Sequence, residues 1–255
     1  MTPTDRAVEA LRRSHRIMVF SGAGLGTESG IPDFRGPDGV WTKVDPAEFT
    51  IDRYMASRST RARRWRMHLE GALWGARSGA QPNSGHEAVA RLSRAGRLAG
   101  VVTQNVDGLH RASGLDDGLV AELHGNARNA HCMSCESRWA IDAVLKRVEA
   151  GDDDPRCPAC GGIIKTDTIM FGEMLPEGEV SKAGVFLAMC DSVLVLGSTV
   201  SVWPAADVVL RAAHQGKPIV IINKGPTDAD GIAAVKIDSG IGDVLPEIVD
   251  RLLDD

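Results

Sequence analysis

The chain has 255 residues, 43% hydrophobic and 25% charged, with 28 Gly and 12 Pro. That usage belongs to a folded globular protein and excludes collagen-like, low-complexity and disordered classes. Its net charge of −5, from 29 Lys and Arg against 34 Asp and Glu, disfavours direct nucleic-acid binding. No stretch approaches the ~18 apolar residues of a membrane span, so no membrane partner is expected. Met1 to Arg16 carries Asp5, Glu9 and several Arg without an apolar run, so a cytoplasmic location is expected rather than secretion.

In chain order, the first expected element is a helix over Thr4–Ser14, opened by Thr4 and Asp5. The apolar run in Arg16–Phe20 then reads as a strand covered on both faces. It leads into Ser21-Gly22-Ala23-Gly24-Leu25-Gly26-Thr27-Glu28-Ser29-Gly30. Such glycines let backbone amides and a helix N-terminus approach a pyrophosphate. Thr27 stands in place of the third glycine of a dinucleotide fingerprint, and only Asp45 stands roughly where its distal acid, about 20 residues on, would be. A purely structural turn is the competing reading. Next, Ile31-Pro32-Asp33-Phe34-Arg35-Gly36 gathers an acid, a ring and a guanidinium, suited to a phosphate and a flat ring or else to a solvated loop.

Trp41–Gln81 holds no strand-like run and reads as a helical insertion. Its Arg58, Arg61, Arg63, Arg64 and Arg66 read as a solvated helix face; the alternative is a cationic patch for an acidic substrate or acyl group. A helix is expected over Ser84–Ala95, then a strand over Gly100–Thr103 that runs into Gln104-Asn105-Val106-Asp107-Gly108-Leu109-His110. Polar residues at the end of a buried strand lie where open α/β sheets bind ligands. With Glu122-Leu123-His124-Gly125 downstream, His110 and His124 are both candidates for acid–base work or for structural roles.

Asn129–Ile164 carries Cys132-x-x-Cys135, then 21 residues, then Cys157-x-x-Cys160. Four thiolates close a tetrahedron around zinc and leave no open position, so the metal is expected to be structural; a redox set is the competing reading. Cys190, alone, reads as an inert buried residue. Strands over Ser192–Leu196, Pro218–Ile222 and Ala234–Ile237, with a helix over Pro204–Gln215, complete the alternation. The expected fold is α/β, a Rossmann-like parallel sheet with helices on both faces, plus a small zinc-binding module and a helical insertion. Residues 1–40, 82–128 and 165–255 would form the Rossmann-like domain, 41–81 the helical insertion of the small domain, and 129–164 the zinc-binding module.

Taken in order, these motifs resemble the sirtuins from about Arg16 to Pro246. The resemblance is carried by Gly22-Ala23-Gly24 through Gly36, Thr103 to His110, Leu123-His124-Gly125 and the two cysteine pairs. Phe171-Gly172-Glu173, Gly197-Ser198-Thr199 with Pro204-Ala205, and Ile222-Asn223 continue it. Gln104-Asn105-Val106-Asp107, Gln81-Pro82-Asn83 and Gly225-Pro226-Thr227 resemble the class II branch, of bacterial type.

The resemblance implies a protein-lysine deacylase that consumes NAD, releases nicotinamide and hands the acyl group to ADP-ribose. It further implies one structural zinc and acyl-lysine proteins or peptides as substrates. A mono-ADP-ribosyltransferase and a non-catalytic NAD- or ADP-ribose-binding module are the alternatives. By the same resemblance, Gly22, Ala23 and Gly24 approach the pyrophosphate, and Asp33, Phe34 and Arg35 border the nicotinamide end. Gln104 and Asn105 contact the ribose and position the reacting centre, and Asp107 holds the carboxamide. Gly197, Ser198, Thr199, Asn223, Lys224 and Gly225 take the adenosine side, with the Ile241 backbone near adenine. His124 is the general base and His110 is structural. Ile169, Met170, Phe171, Gly172 and Glu173 form a platform along which an extended peptide adds as a strand.

Three departures carry expectations. Gly26 stands where the family commonly has Ser, which implies weaker NAD binding or a looser loop. Asp167 puts a negative charge before the platform, which favours basic flanking sequence. Sirtuins that take succinyl or malonyl groups carry Tyr-x-x-Arg; here Tyr54 is followed three residues on by Ser57, so acidic acyl chains are not favoured.

Overall fold

The computed structural model describes residues 1–36, 39–71 and 79–254; residues 72–78 of the expected helical insertion lie outside the described residues. The first half comprises α1 (Pro3–Arg12), β1 (Ile17–Ser21), α2 (Ile51–Ala56), α3 (Arg58–Leu69), α4 (Ser84–Arg94), β2 (Leu98–Thr103), α5 (Leu109–Ala112) and β3 (Val120–Glu122). There follow β4 (Gly125–Cys132), β5 (Arg138–Ala140), α6 (Ile141–Glu149) and β6 (Ile164–Thr168). The chain ends with α7 (Glu177–Met189), β7 (Ser192–Leu196), α8 (Asp207–His214), β8 (Ile219–Ile222), β9 (Val235–Ile237) and α9 (Ile241–Leu253).

Six strands pair in parallel in the order β3-β2-β1-β7-β8-β9. The order reverses between β1 and β7, which makes a doubly wound sheet with its switch point there. Every residue of β1, β2, β7 and β8 is buried. Helices cover both faces, so the strands have no polar side. On one face α1, α4 and α9 pack through Leu11, Leu92 and Ile248; on the other α7 and α8 pack through Phe186, Leu187 and Val209. Among the described residues no helix is long and apolar enough to cross a membrane.

A second, antiparallel sheet in the order β5-β4-β6 carries the cysteine region. Its core takes Trp65 from α3 alongside Ala130, Ile141, Leu145 and Ile164. The Tyr54 hydroxyl donates to the Ile164 carbonyl at 2.7 Å, and Arg61 grips Asp154 with two bonds of 2.8 and 2.9 Å. The helical insertion and the cysteine region therefore pack as one small body. Its link to the large sheet is β4 and β6 themselves rather than a loose linker.

Three elements differ from the sequence reading. Thr2, not Thr4, caps α1: its hydroxyl accepts from the Asp5 amide while the Asp5 carboxylate accepts from the Thr2 amide. The helix expected from Pro204 starts at Asp207, after a run of turns. The arginines of α3 do not form one solvated face: Arg58, Arg63 and Arg66 are exposed, but Arg61 and Arg64 are 3% and 6% exposed. The physical reason is that α3 is covered by the cysteine body on one side and by the cleft on another.

Gly100 in β2 lets α7 lie close, since a Cβ there would come within 2.5 Å of the Phe186 ring. Gly100→Ala is expected to cost about 1–3 kcal/mol by overpacking. Urea denaturation measures it, and adding Phe186→Leu to the same chain recovers most of the loss.

Candidate active site

The chain leaves β1 and β7 side by side at the switch point, and both exits are glycine turns. A Cβ on Gly22 would lie 2.7 Å from the Gly197 carbonyl oxygen, and one on Gly24 2.8 Å from the Gly197 Cα. Gly197 is left-handed, with φ 60°, and a Cβ there would overlap the Leu25 amide. The loops interlock because none of the three carries a side chain. Their amides are spent on this contact, Gly22 donating to Leu196 and Gly24 to Gly197. Ala23, between them, keeps its amide free of any protein acceptor among the described residues.

Gln104 and Asn105 follow β2. The Gln104 side-chain amide donates to Ser198 Oγ at 2.8 Å, and that of Asn105 donates to the Gly22 carbonyl at 3.0 Å. One N–H of each side-chain amide is thereby tied to the switch-point loops, which fixes how the two amides are turned. Asp107 accepts from the Leu109 amide at 2.8 Å. Burial, reinforced by Glu122, pushes its carboxyl up to about 6 against the pull of that amide and of Arg128.

His124 follows β3 with Nδ1 3.1 Å from the Gln104 carbonyl oxygen. A carbonyl only accepts, so Nδ1 carries the proton and Nε2 the lone pair. Burial lowers its pKa below that of free imidazole, and the Gln104 carbonyl opposes this. The ring is therefore a neutral base near pH 7. His110 differs: Nε2 lies 2.8 Å from Ser21 Oγ, the ring stands edge-on to His86, and burial pushes its pKa down to about 3. It braces β1 through Ser21.

The loop after β6 is tied to the His124 side of the cleft. The Ile169 amide donates to the His124 carbonyl at 2.8 Å. Phe171 donates to the Phe49 carbonyl and accepts from the Ile51 amide. The Glu173 carboxylate takes the Met170 amide at 2.7 Å and the buried Lys165 ammonium at 3.0 Å. Of Ile169 to Glu173, Gly172 alone has no protein partner for either main-chain group among the described residues. Asp167 does not charge the groove: it pairs with His131 at 2.5 Å and Arg138 at 2.8 Å.

These elements enclose a cleft of about 520 Å³. It is lined by Gly22, Ala23, Gly24, Asp33, Phe34, Arg35, Gln104, Asn105, Asp107 and His124, together with Ile169 to Glu173. Gly197, Ser198, Thr199, Asn223 and Lys224 complete the set. Gly225 and Ile241 do not line it; the Gly225 amide donates to Asp238, and Ile241 is buried at the start of α9. Sequence reasoning missed an aromatic wall. Phe34 and Trp41 stand 5.0 Å apart, Trp41 and Phe49 4.9 Å edge-on, and Trp41 and Phe171 6.0 Å. Trp41 follows the Asp33–Gly36 run closely enough to have been a signal; Phe49 carries none. Gly26 has an ordinary right-handed backbone, and a Cβ there would meet only contacts of 3.4 Å and beyond, one of them Asp107 Oδ2. The loop is therefore not loosened by needing glycine at that point.

Cys132, Cys135, Cys157 and Cys160 sit away from the cleft with all four sulfurs within 4.8 Å of one another. Two of the separations are 3.5 and 3.6 Å. A tetrahedron with metal–sulfur bonds of about 2.3 Å has edges of about 3.8 Å, so the cluster fits a zinc ion. Gly162 is required there, since a Cβ would come 2.8 Å from Cys132 Sγ.

Comparison with known proteins gives consistent matches. The model of the Sir2 family matches residues 22–204. The chain is 40% identical over 245 residues to NAD-dependent protein deacetylase 1 of Bradyrhizobium diazoefficiens, covering 96% of this chain and 94% of that one. A solved structure concerned with the mechanism and regulation of Sir2 enzymes superposes with a TM-score of 0.88 at 36% identity, covering 98% of this chain and 97% of that one. A Sir2 complex with a p53 peptide and NAD+ superposes with a TM-score of 0.85 at 30% identity, covering 98% of both.

The raised pKa of Asp107 has a sign that can be measured. Its ionisation opposes folding, so the stability linked to its neutral form is present at low pH and lost as pH rises through about 6. Asp107→Asn keeps the acceptor for Leu109 and removes the charge. It is expected to stabilise the protein at pH 7.5 by up to about 3 kcal/mol, a gain that fades toward pH 4. Thermal melts across that range measure it, and a gain independent of pH contradicts the assignment.

Proposed function

The chain belongs to the Sir2 family of NAD-dependent deacylases, and from that premise we propose that it is a class II, bacterial-type protein-lysine deacylase that yields nicotinamide, O-acyl-ADP-ribose and free lysine. The observation that carries this reading is His124, a ring held neutral by burial, with its proton fixed on Nδ1 and its lone pair on Nε2 in the cleft. Binding alone needs no such base. The class II reading is supported by the Gln104-Asn105-Val106-Asp107 and Gly225-Pro226-Thr227 runs.

The residues fit NAD as co-substrate. The open Ala23 amide suits the pyrophosphate, Ser198, Thr199, Asn223 and Lys224 line the adenosine side, and Asp107 suits the carboxamide. NAD supplies an electrophilic ribose carbon that carries a good leaving group. The chain supplies orientation through Gln104 Oε1 and Asn105 Oδ1, and the aromatic wall of Phe34, Trp41 and Phe49 excludes water. His124 Nε2 accepts the ribose hydroxyl proton, and the Gln104 carbonyl steadies the resulting imidazolium through Nδ1. The acyl-lysine peptide lies against Gly172, whose main chain is open. One structural zinc sits on Cys132, Cys135, Cys157 and Cys160.

Incubation with NAD and acetyl- or propionyl-lysine peptides is expected to give nicotinamide and O-acyl-ADP-ribose in equal amounts. His124→Tyr is expected to lose about 10²–10⁴ in rate while keeping its melting temperature and one zinc per chain. The acid limb of kcat/KM is expected below pH 6.5, because burial lowers the His124 pKa. Label transferred to protein without an acyl product points instead to ADP-ribosyl transfer, and NAD binding without turnover to a sensing module. Stripping the zinc with a chelator is expected to unfold the small body, read as lost near-ultraviolet signal from Trp65 and Trp139.

A further inference from the structure

Arg64 is 6% exposed and lines the cleft, yet no acidic side chain among the described residues pairs with it. Its Nε and Nη1 are enclosed without any hydrogen-bond partner among the described residues. The other buried cations are neutralised. Arg61 is held by Asp154, and Lys165 by Glu173 and two carbonyls. The remaining groups around Arg64 offer no charge. Tyr54 is a neutral phenol that donates to Ile164, and His68 is neutral because burial pushes its pKa down to about 3. Burial lowers Arg64 itself only to about 10, so it stays protonated near pH 7.

An enclosed cation without a counter-charge is costly, and the cost is relieved when an anion arrives. The contact of Arg64 with Phe49 points the same way. Its Cζ lies 4.0 Å over the Phe49 ring. A contact through the guanidinium carbon spends no N–H, and Nε and Nη1 stay unspent among the described residues. Phe49 is also the end of the wall formed with Trp41 and Phe34, and the cleft that contains His124 is bounded by all three rings. One cleft thus holds the base, a run of apolar rings and, at the Phe49 end of that run, a cation. That is the complement of a short hydrocarbon stem ending in a carboxylate.

We propose that Arg64 reads the far end of the acyl group, so that the preferred substrate is a lysine acylated by a short dicarboxylic acid. The proposal rests on the deacylase reading above and replaces the expectation, drawn from the missing Tyr-x-x-Arg pair, that acidic chains are not favoured. The cation has moved to another position, and Tyr54 is spent on Ile164.

The test uses two peptides that differ only at the acyl tip, one with Nε-glutaryl-lysine and one with its terminal carboxamide. Kd is measured by calorimetry without NAD, and kcat/KM by nicotinamide release with it. The full-length wild-type protein is expected to favour the carboxylate at least about tenfold in both. Arg64→Met is expected to bring the ratio to about one, and Arg64→Lys to leave an intermediate value because the charge survives without the planar fork. Each ratio is taken within one protein, so a general loss of activity cancels. A wild-type ratio near one, or a ratio unchanged in Arg64→Met, overturns the proposal. Should the methionine variant fail to fold, the wild-type ratio and the lysine variant decide. Nicotinamide release from acetyl-lysine peptides alongside a ratio of one removes only the role of Arg64. No release from any acyl peptide removes the deacylase reading and this proposal with it.

Discussion

The site depends on one close approach, the meeting of the loops that leave β1 and β7. Gly22, Gly24 and Gly197 have no room for a Cβ at that contact. Once the loops are locked, the groups above them are placed in turn. The Gly22 carbonyl receives Asn105, Ser198 Oγ receives the Gln104 side chain, and the Gln104 carbonyl receives His124. The His124 tautomer is therefore set by backbone geometry at the switch point of the sheet, two hydrogen bonds away. The glycine-rich loop serves packing first, and its open donor is Ala23 rather than the glycines beside it.

The small body contributes from the other side of the cleft. Its cysteine cluster is remote from the chemistry, but it anchors the sheet on which Trp65 and the rest of α3 rest. Arg61 and Tyr54 tie the same helices to Asp154 and Ile164. What these contacts hold in place is the wall of Phe49 and Arg64 that faces the reacting groups. The cysteine cluster thus bears on the shape of the cleft through helix position rather than by lining it.

Much of the architecture was legible because its physics is local. Strands buried on both faces must be apolar along their whole length, so β1, β7 and β8 stand out to within a residue or two. The cysteine pairs and the polar end of β2 are likewise explicit in short runs. β3 is only three residues long, α9 contains Pro246, and α7 exposes Val180, Val185 and Met189, so each lacks a clean periodic signal. The arginines show the deeper difficulty. Arg61, Arg64, Trp65 and His68 recur at helical spacing and are all buried. A pattern search keyed to hydrophobicity cannot recognise a buried stripe made of cations and a histidine. Their role follows only from which elements cover α3, and that is a property of the assembled molecule.

The Ile169 amide is fastened to the main-chain oxygen of His124. On the proposed reading, the strip that would receive the polypeptide and the imidazole that would be aimed at the sugar therefore share a rivet. A guest that shifted the strip would shift the residue meant to act upon it, so loading and aiming would be geared together. A poorly seated guest would leave the reagent misaligned, which makes discrimination among targets partly a matter of timing as well as of grip.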